Sequence, residues 1–147
     1  MKKIDLAYFA GLFDGEGSIS IISHTLRERK YLSLLVQFTN TKIWPCQSLK
    51  FAFGGYITRR SSKNKKWQDS WNWVITANQA LGFLKIIMPY LRLKQAEAEL
   101  AIKFQEGRNK RGNRGSRGLT EAERILEETQ RKLLRGMKTK YVPTNDK

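Results

Sequence analysis

The sequence predicts an α+β fold in which helices alternate with two β-hairpins, the four strands pair in one antiparallel sheet, and a further helix ends the chain. Three observations predict it: two regions of alternating apolar and polar residues, helical patterns before and after each, and turn-forming residues between the strands. The 147 residues match the size of one domain. We divide them into a core of residues 1–106, a basic glycine-rich loop of 107–119, and a helix with its tail of 120–147 in the same domain.

The first helix is predicted over residues 6–13, with Asp5 as its N-cap and Gly15 at its end. The first hairpin follows over 18–39, because apolar and polar residues alternate on both sides of a polar tip at 24–30. This part of the chain is therefore predicted to be a helix followed by a long hairpin.

The same order repeats in the next part of the chain. A helix is predicted over 45–53, and a second hairpin over 56–77, with a tip rich in lysine and turn formers at 62–66. Asn78 is a suitable cap for a third helix, and residues 93–104 are strong helix formers.

The segment from Gly107 to Gly118 has five basic residues, four glycines and no acidic or apolar residue, so we expect a mobile loop that could order on phosphates. Thr120 and Glu123 then form a capping box that opens a helix to Arg135. We expect this helix to dock through one stripe of residues. The stripe consists of Ala122, Ile125, Leu126, Thr129 and Leu133.

The charge of the chain points to a polyanionic partner, because the net charge is +15. Residues 17–95 contain thirteen lysines or arginines and only two acids, so most of the excess lies on the predicted sheet. A membrane-binding helix would instead carry its lysines opposite a bulky apolar face. One cysteine and one histidine exclude an intrachain disulfide and a multi-histidine zinc site. We expect an intracellular protein, in the cytoplasm, nucleoid or an organelle, that is not secreted and has no membrane partner.

The strands are predicted to place apolar side chains on one face and hydroxyls, amides and basic groups on the other. Such polar groups read base edges in a major groove and hold phosphates, although an ordinary solvated sheet face would look the same in any single strand. The predicted nucleic-acid contacts are Ser20, Ile22, His24, Arg27, Arg29, Tyr31, Ser33, Gln37, Thr39, Tyr56, Thr58, Arg60, Lys63, Lys65, Lys66, Gln68, Ser70 and Asn72.

The first helix carries a stripe of small residues at i, i+3, i+4 and i+7. Its members are Ala7, Ala10, Gly11 and Asp14. A face this small lets another backbone approach closely, either from a second chain or from the rest of the same domain.

Residues 9–17, FAGLFDGEG, resemble the LAGLIDADG motif of the homing endonucleases, and LRLKQAEAEL resembles the segment that carries the active-site lysine of that family. The helix and hairpin order agrees, so the resemblance covers residues 4–104. It implies a homodimer whose motif helices pack through Ala7, Ala10, Gly11 and Asp14. It also implies a saddle of two sheets that lie in the major groove of double-stranded DNA.

The same resemblance implies the roles of the site residues. Glu16 would bind a metal with the Gly15 carbonyl, Asp14 would cap or support the site, Lys94 would be the active-site lysine, and Asn40 would help to order the attacking water. Mg²⁺ or another hard divalent cation is the expected cofactor, because such ions prefer carboxylate oxygens and activate water for phosphodiester hydrolysis.

Two residues depart from the pattern: glutamate stands at the eighth motif position, and Trp44 stands where a relative with one motif carries a basic residue. The predicted function is cleavage of a long, nearly palindromic DNA target. The alternative is a binder of the same fold that does not cleave, either an intron maturase that binds RNA or a transcription factor. A basic RNA chaperone would explain the positive charge but not the first helix, with its small face and its acidic end.

Overall fold

The computed structural model describes residues 1–113 and 117–138. Its four strands form one antiparallel sheet in the order β1-β2-β4-β3, so the predicted α+β fold is confirmed. The elements are α1 (Lys3–Glu16), β1 (Gly17–Leu26), β2 (Arg29–Asn40), α2 (Ile43–Phe53), β3 (Tyr56–Arg60), β4 (Ser70–Thr76), α3 (Ala77–Ile87), a 3₁₀ turn (Met88–Tyr90), α4 (Gln95–Arg111) and α5 (Glu121–Met137).

The core lies between one face of the sheet and the helices. Side chains at alternate positions of the strands, such as Ile19, Leu34 and Phe38, are fully buried there, as the alternation predicts. Phe83 of α3 contacts the rings of Phe13 and Trp73 edge-on, with centroids 5.2 Å apart in both pairs. This aromatic cluster fixes α1 and α3 against the middle of the sheet.

Helix α1 is longer than predicted at both ends. Lys2 is its N-cap, and Asp5 lies in the first turn, where its carboxylate accepts the Lys2 backbone N–H at 3.0 Å. The helix continues past Gly15 and ends at Glu16. Position 17, directly after the helix, requires glycine because the Phe13 ring occupies the space that a side chain would need.

The first hairpin has a shorter tip than predicted. Strands β1 and β2 extend to a two-residue turn, Arg27-Glu28, with φ of 49° and 65°. These positive values are typical of the type I′ turn, which suits the twist of paired strands. The usual Asn-Gly signal is absent here, so the sequence did not reveal the turn.

The second hairpin has a longer tip than predicted, because β4 starts at Ser70. Asp69 organises this tip: its carboxylate accepts hydrogen bonds from the Arg59 guanidinium, at 2.6 Å, and from the Ser62 backbone N–H, at 3.1 Å. The Arg59 contact, followed by the Ser62 bond, lowers the pKa of Asp69 below its usual value.

The predicted mobile loop is wrong over its first five residues, because α4 continues to Arg111. Arg108 and Arg111 both pair with Glu127 of α5, whose side chain is buried. These two arginines are therefore engaged within the protein. Residues 114–116 of the predicted loop lie outside the described residues.

Helix α5 begins with the predicted capping box of Thr120 and Glu123. Its predicted docking face is wrong, however. Glu127 and Leu134 are the buried residues of α5, whereas the predicted stripe is turned away from the domain. Within the described residues, none of the helices has the length and apolar character needed to cross a membrane.

Replacing Gly55 with alanine should lower the free energy of unfolding by about 2 kcal/mol or more. Gly55 has φ of +86°, and an added Cβ would lie 2.5 Å from the Val74 carbonyl oxygen, so strain and overlap add together. Urea denaturation measures the change. Gly82→Ala is the matched control, because that position on α3 is exposed with open space around it and should stabilise the helix by up to about 1 kcal/mol. Equal effects of the two variants would contradict the packing at Gly55.

Candidate active site and nucleic-acid interface

The centre of the site is formed where the C-terminus of α1 meets the N-terminus of α4. The Asp14 carboxylate, which is buried, accepts the backbone N–H groups of Arg92, Leu93 and Lys94 at 2.7, 3.2 and 3.0 Å. Asp14 therefore fixes the three residues that lead into α4, which begins at Gln95, and the nearby N-terminus of α4 favours its negative charge although Asp14 lies near the unfavourable end of its own helix. This contact explains an acidic residue at that position of α1.

Lys94 completes a reciprocal arrangement. Its ammonium donates to the Asp14 carbonyl oxygen at 2.5 Å, which satisfies one of the carbonyls left without an intrahelical partner at the end of α1. The end of α1 and the residues that lead into α4 are therefore joined by hydrogen bonds in both directions. These bonds fix the last turn of α1, which carries Gly15 and Glu16.

Glu16 is exposed and contacts the end of β2. Its Oε2 atom accepts a hydrogen bond from Asn40 Nδ2 at 2.6 Å. The Asn40 Oδ1 atom in turn accepts the Lys42 backbone N–H at 2.8 Å. Because a backbone N–H can only donate, this bond fixes which end of the amide faces Glu16. The structure thus brings two of the predicted catalytic residues into direct contact.

A cleft of about 240 Å³ opens beside this pair. It is lined by Glu16, Thr39, Asn40, Thr41 and Ser70, which come from α1, β2 and β4 and from the turn after β2. All five side chains present oxygen or nitrogen atoms. The cleft therefore exposes several polar groups next to the Glu16 carboxylate.

The donor set suits a hard cation that is shared with a substrate. The described residues contain no group of three histidine, cysteine, aspartate or glutamate side chains that could hold a metal by itself. Mg²⁺ is usually bound through one or two carboxylates together with substrate phosphates. Glu16 offers an exposed carboxylate, and the Gly15 carbonyl lies in the unpaired last turn of α1, so these residues fit such an ion.

The strand register places the predicted contacts on the sheet face opposite the core. His24 pairs with Tyr31 across β1 and β2, and their rings stack with centroids 6.1 Å apart. The predicted contacts that share this face are Ser20, Ile22, His24, Tyr31, Ser33, Gln37, Thr39, Tyr56, Thr58, Arg60, Ser70 and Asn72, and Leu35 and Val74 of the two central strands lie on it as well. We call it the groove face.

The remaining predicted contacts lie near the hairpin ends. Arg27 is in the β1–β2 turn, and Arg29 begins β2. Lys63, Lys65, Lys66 and Gln68 are exposed in the tip that joins β3 to β4. The groove face therefore carries polar side chains around the apolar Leu35 and Val74 of its central strands, and it is basic at both hairpin tips.

Asn72 is a correction to the predicted contacts, because it is only 3% exposed. It lies on the groove face of the central strand β4, where Thr39 and Thr58 flank it on both sides. Its Oδ1 atom accepts the Thr39 hydroxyl at 2.9 Å. This bond positions the neighbouring strands, and the sequence pattern alone does not separate such a buried amide from an exposed one.

Structural comparison shows that the fold of this chain is similar to that of several homing endonucleases. The archaeal intron-encoded homing endonuclease I-Vdi141I, solved with DNA, has a TM-score of 0.76 at 14% identity, over 99% of this chain and 91% of that one. The homing endonuclease I-CvuI, in complex with the I-CreI target, has a TM-score of 0.73 at 14% identity, over 97% and 87%. The LAGLIDADG homing endonuclease I-GzeII, solved with its DNA target, has a TM-score of 0.60 at 17% identity, over 88% of this chain and 43% of that one.

The fold is that of the LAGLIDADG homing endonucleases. No family model matches the sequence, and no curated protein matches it either. Identities of 14–17% place the chain with these proteins by architecture.

On this LAGLIDADG fold, Lys138 is a residue that the sequence pattern missed. Its Nζ atom donates to the hydroxyls of Ser20, at 2.7 Å, and Ser18, at 3.4 Å, at the start of β1. Partial desolvation lowers the pKa of Lys138, Lys94 lowers it further, and Glu97 partly offsets both. Lys138 lies beyond the segment that resembles the family, so only the capped helix α5, which ends beside β1, could have suggested it.

On the LAGLIDADG fold, the stripe of small residues on α1 is partly buried within the chain and partly exposed to solvent. Ala10 and Asp14 are buried within their own chain, which corrects their prediction as interface residues. Ala7 and Gly11 are exposed, as is Gly15 one turn later. The free small-residue face of α1 therefore consists of these three residues.

Proposed function

We propose that this protein is a homodimeric, Mg²⁺-dependent endonuclease that cuts a long, nearly palindromic site in double-stranded DNA. The observation that carries the proposal is the position of Glu16. Its carboxylate is exposed, oriented by Asn40, and held between two helix termini at the edge of a basic groove face. In this arrangement Glu16 would bind a cation beside a phosphodiester that lies on the groove face.

The chain's own residues would divide the work. Glu16 and the Gly15 carbonyl would hold the metal ion, and Asn40 would keep the Glu16 carboxylate in place and order water beside it. Lys94 would bring positive charge to the same turn, while Asp14 fixes the backbone that carries it. A bound Mg²⁺ supplies neutralisation of phosphate charge and activation of water.

The homodimer is supported by the free face of α1 and by the number of carboxylates. Ala7, Gly11 and Gly15 give a surface that a second α1 could approach closely. One chain presents one oriented Glu16 beside its groove face, whereas a duplex has two strands to cut. Two copies related by a two-fold axis would provide one such carboxylate for each strand and would read a palindromic site.

Lys138→Ala should weaken DNA binding and make the affinity less dependent on salt. An ammonium on the groove face beside Ser20 would contact a phosphate, and each phosphate contact contributes a log–log slope of about −0.9. Fluorescence anisotropy at several salt concentrations should therefore show a slope smaller in magnitude by about one per bound chain. Lys103→Ala is the control, because Lys103 is an exposed lysine on α4, in the helix layer. Identical slopes for the two variants would remove Lys138 from the interface.

A library of random duplexes tests the proposed activity whatever the target sequence is. Purified protein is incubated with the library with Mg²⁺ or with a chelator, and the cut ends are sequenced. The proposal expects one enriched, nearly palindromic sequence cut on both strands with Mg²⁺ only. Enrichment of bound but uncut duplexes would point to a binder, and retention of structured RNA in its place would favour a maturase.

A further inference from the structure

Apolar side chains interrupt the polar groove face near its middle. Ile22 of β1 is 37% exposed, Leu35 of β2 is half-buried, and Val74 of β4 is buried on this side of the sheet. The hydrophobic core lies on the opposite face and is formed by other residues. Core packing therefore does not account for these three side chains.

The three residues form a diagonal row across the sheet. In the strand register, Leu35 stands two residues from the β2 partner of Ile22 and two residues from the β2 partner of Val74. Diagonal neighbours of this kind are about 7–8 Å apart, within reach of long side chains. The residues directly opposite them carry a hydroxyl or an amide, and they are Ser20, Ser33, Gln37, Tyr56 and Thr76. A narrow apolar row therefore crosses a polar surface.

Strand propensity explains only part of this row. Ile22 and Val74 are β-branched residues, which favour strands, but Leu35 is not. Leu35 occupies a central strand on the side away from the core and still leaves part of its side chain in solvent. Contiguous apolar surface at such a place indicates contact with a ligand.

The charges around the row select a polyanion as that ligand. Among the described strand positions of the groove face, two are arginines and none is acidic. Exposed lysines follow in the tip between β3 and β4. The acids that border the face are Glu16, the proposed metal ligand, Glu28 in the β1–β2 turn, and Asp69, which pairs with Arg59. The apolar row therefore lies on a surface whose charge suits nucleic acid.

The shape of this part of the sheet suits the major groove of DNA. Strands β1 and β2 extend beyond β4 as a two-stranded ribbon, because β4 pairs with β2 only from Leu35 to Asn40. The major groove admits a two-stranded ribbon. Ile22 lies within the ribbon and Leu35 lies at its base, so both side chains would meet base edges.

The chemistry of the major groove defines what an apolar side chain can recognise there. The base edges present hydrogen-bond donors and acceptors, and thymine adds a methyl group at C5. Cytosine presents the same group only when it is methylated. Apolar side chains in the groove therefore distinguish pyrimidines with a 5-methyl group from pyrimidines without one.

We propose that Ile22 and Leu35 are specificity-determining residues that contact 5-methyl groups of pyrimidines, which in unmodified DNA are those of thymine. Val74 is buried beside Leu35 and supports it. The inference rests on the proposed DNA-binding function and adds which bases are favoured. Because RNA carries uracil, which lacks this methyl group, the same contacts favour DNA over RNA.

The strand register also predicts where these bases lie. Ser20, which pairs with Leu35, is four residues after Glu16, and Ile22 is six residues after it. At about 3.3 Å per strand residue and about 3.4 Å per base pair, the two contacts fall roughly four and six base pairs from the proposed metal site.

The experiment compares four pyrimidines at single positions of the bound duplex. The random-duplex selection supplies the sequence, and each of its thymines is replaced in turn by uracil, cytosine or 5-methylcytosine with the matching purine opposite. Fluorescence anisotropy with Ca²⁺ measures the affinity. Uracil should bind about fourfold more weakly than thymine at a contacted position, and cytosine about fourfold more weakly than 5-methylcytosine, because one buried methyl group contributes about that factor.

Two variants assign the contacts to residues. Ile22→Ser and Leu35→Ser should each abolish the effect of the methyl group at one position and leave it unchanged at the other. The retained sensitivity shows that each variant is folded and docked. Ile86→Ser is the matched control, because Ile86 is an isoleucine of α3 in the helix layer with 46% exposure, and it should keep both effects.

The outcomes separate this inference from the proposed function. Two methyl-sensitive positions in each half-site, each lost in one variant, support the inference. A specifically bound site that tolerates uracil for every thymine overturns the inference and leaves the proposed function standing, as does a methyl effect that persists in both variants. If the protein prefers no duplex at all, the inference and the proposed function are both wrong.

Discussion

Replacing Glu16 with glutamine should reduce Mg²⁺-dependent DNA cleavage by about 1000-fold while leaving duplex affinity nearly unchanged. A bound cation contributes several kcal/mol to the transition state, and each 1.36 kcal/mol corresponds to a factor of ten in rate. Glutamine has the same shape and still accepts the hydrogen bond from Asn40, so the loop geometry should persist. The variant removes only the charge that would hold the ion.

Cleavage is measured under single-turnover conditions, and binding is measured on the same duplex with Ca²⁺. Glu99→Gln is the matched control, because Glu99 is an exposed glutamate on α4. It should cleave at the wild-type rate. Full cleavage by Glu16→Gln would show that the metal-binding role belongs to another residue.

Replacing Asp14 with alanine should lower the free energy of unfolding by about 3 kcal/mol or more. The carboxylate accepts three backbone N–H groups from residues 92–94 in partly buried hydrogen bonds, and each hydrogen bond to a charged group contributes about 1.5–3 kcal/mol. Asp14→Asn should have a smaller effect, since the amide keeps one acceptor oxygen. Urea denaturation measures the difference in the free energy of unfolding, with one denaturant slope fitted to all variants.

Asp5→Ala is the control for this second prediction. Asp5 also accepts a backbone N–H group near a helix N-terminus, but it is exposed and has one such bond in place of three. We expect a loss of about 1 kcal/mol there. A loss at Asp14 no larger than that at Asp5 would contradict its role in fixing residues 92–94 before α4.

The two variants separate the acidic residues of the motif by their effects. Asp14 is buried and acts on stability, whereas Glu16 is exposed two residues later and would act on chemistry. A chain with Asp14→Asn that folds at low temperature should still cleave if Glu16 and Asn40 keep their contact. The electrostatic cost of acids at the end of α1 is thus offset by the N-terminus of α4 and by Lys94.

The sheet could be predicted from the sequence because its alternation has only one consistent solution. Leu32, Leu34, Val36 and Phe38 stand at every second position, and burying them places Tyr31 and Ser33 on the opposite face. The same rule correctly assigned the groove face of β3. It also placed Asn72 on the groove face, but it could not predict that Asn72 is buried there, since burial in the middle of a sheet depends on the neighbouring strands.

The contacts within the site depend on long-range packing, which local patterns do not encode. The resemblance to the LAGLIDADG motif predicted that Asp14 caps or supports, but its partners lie 78–80 residues away in sequence. Helix α5 shows the same limit more strongly. Its capping box is local and was predicted correctly, whereas the face that docks was decided by Arg108 and Arg111 of α4.

The most direct measurement is cleavage of a duplex made by joining the two DNA segments that flank this reading frame. In the family that the sequence resembles, the target is the uninterrupted junction of the element that encodes the enzyme. We predict that the wild-type protein binds this duplex and cuts both strands with Mg²⁺, and that a chelator stops the cutting. Binding without cleavage at any divalent cation concentration, or no preference over an unrelated duplex, would contradict a site-specific endonuclease.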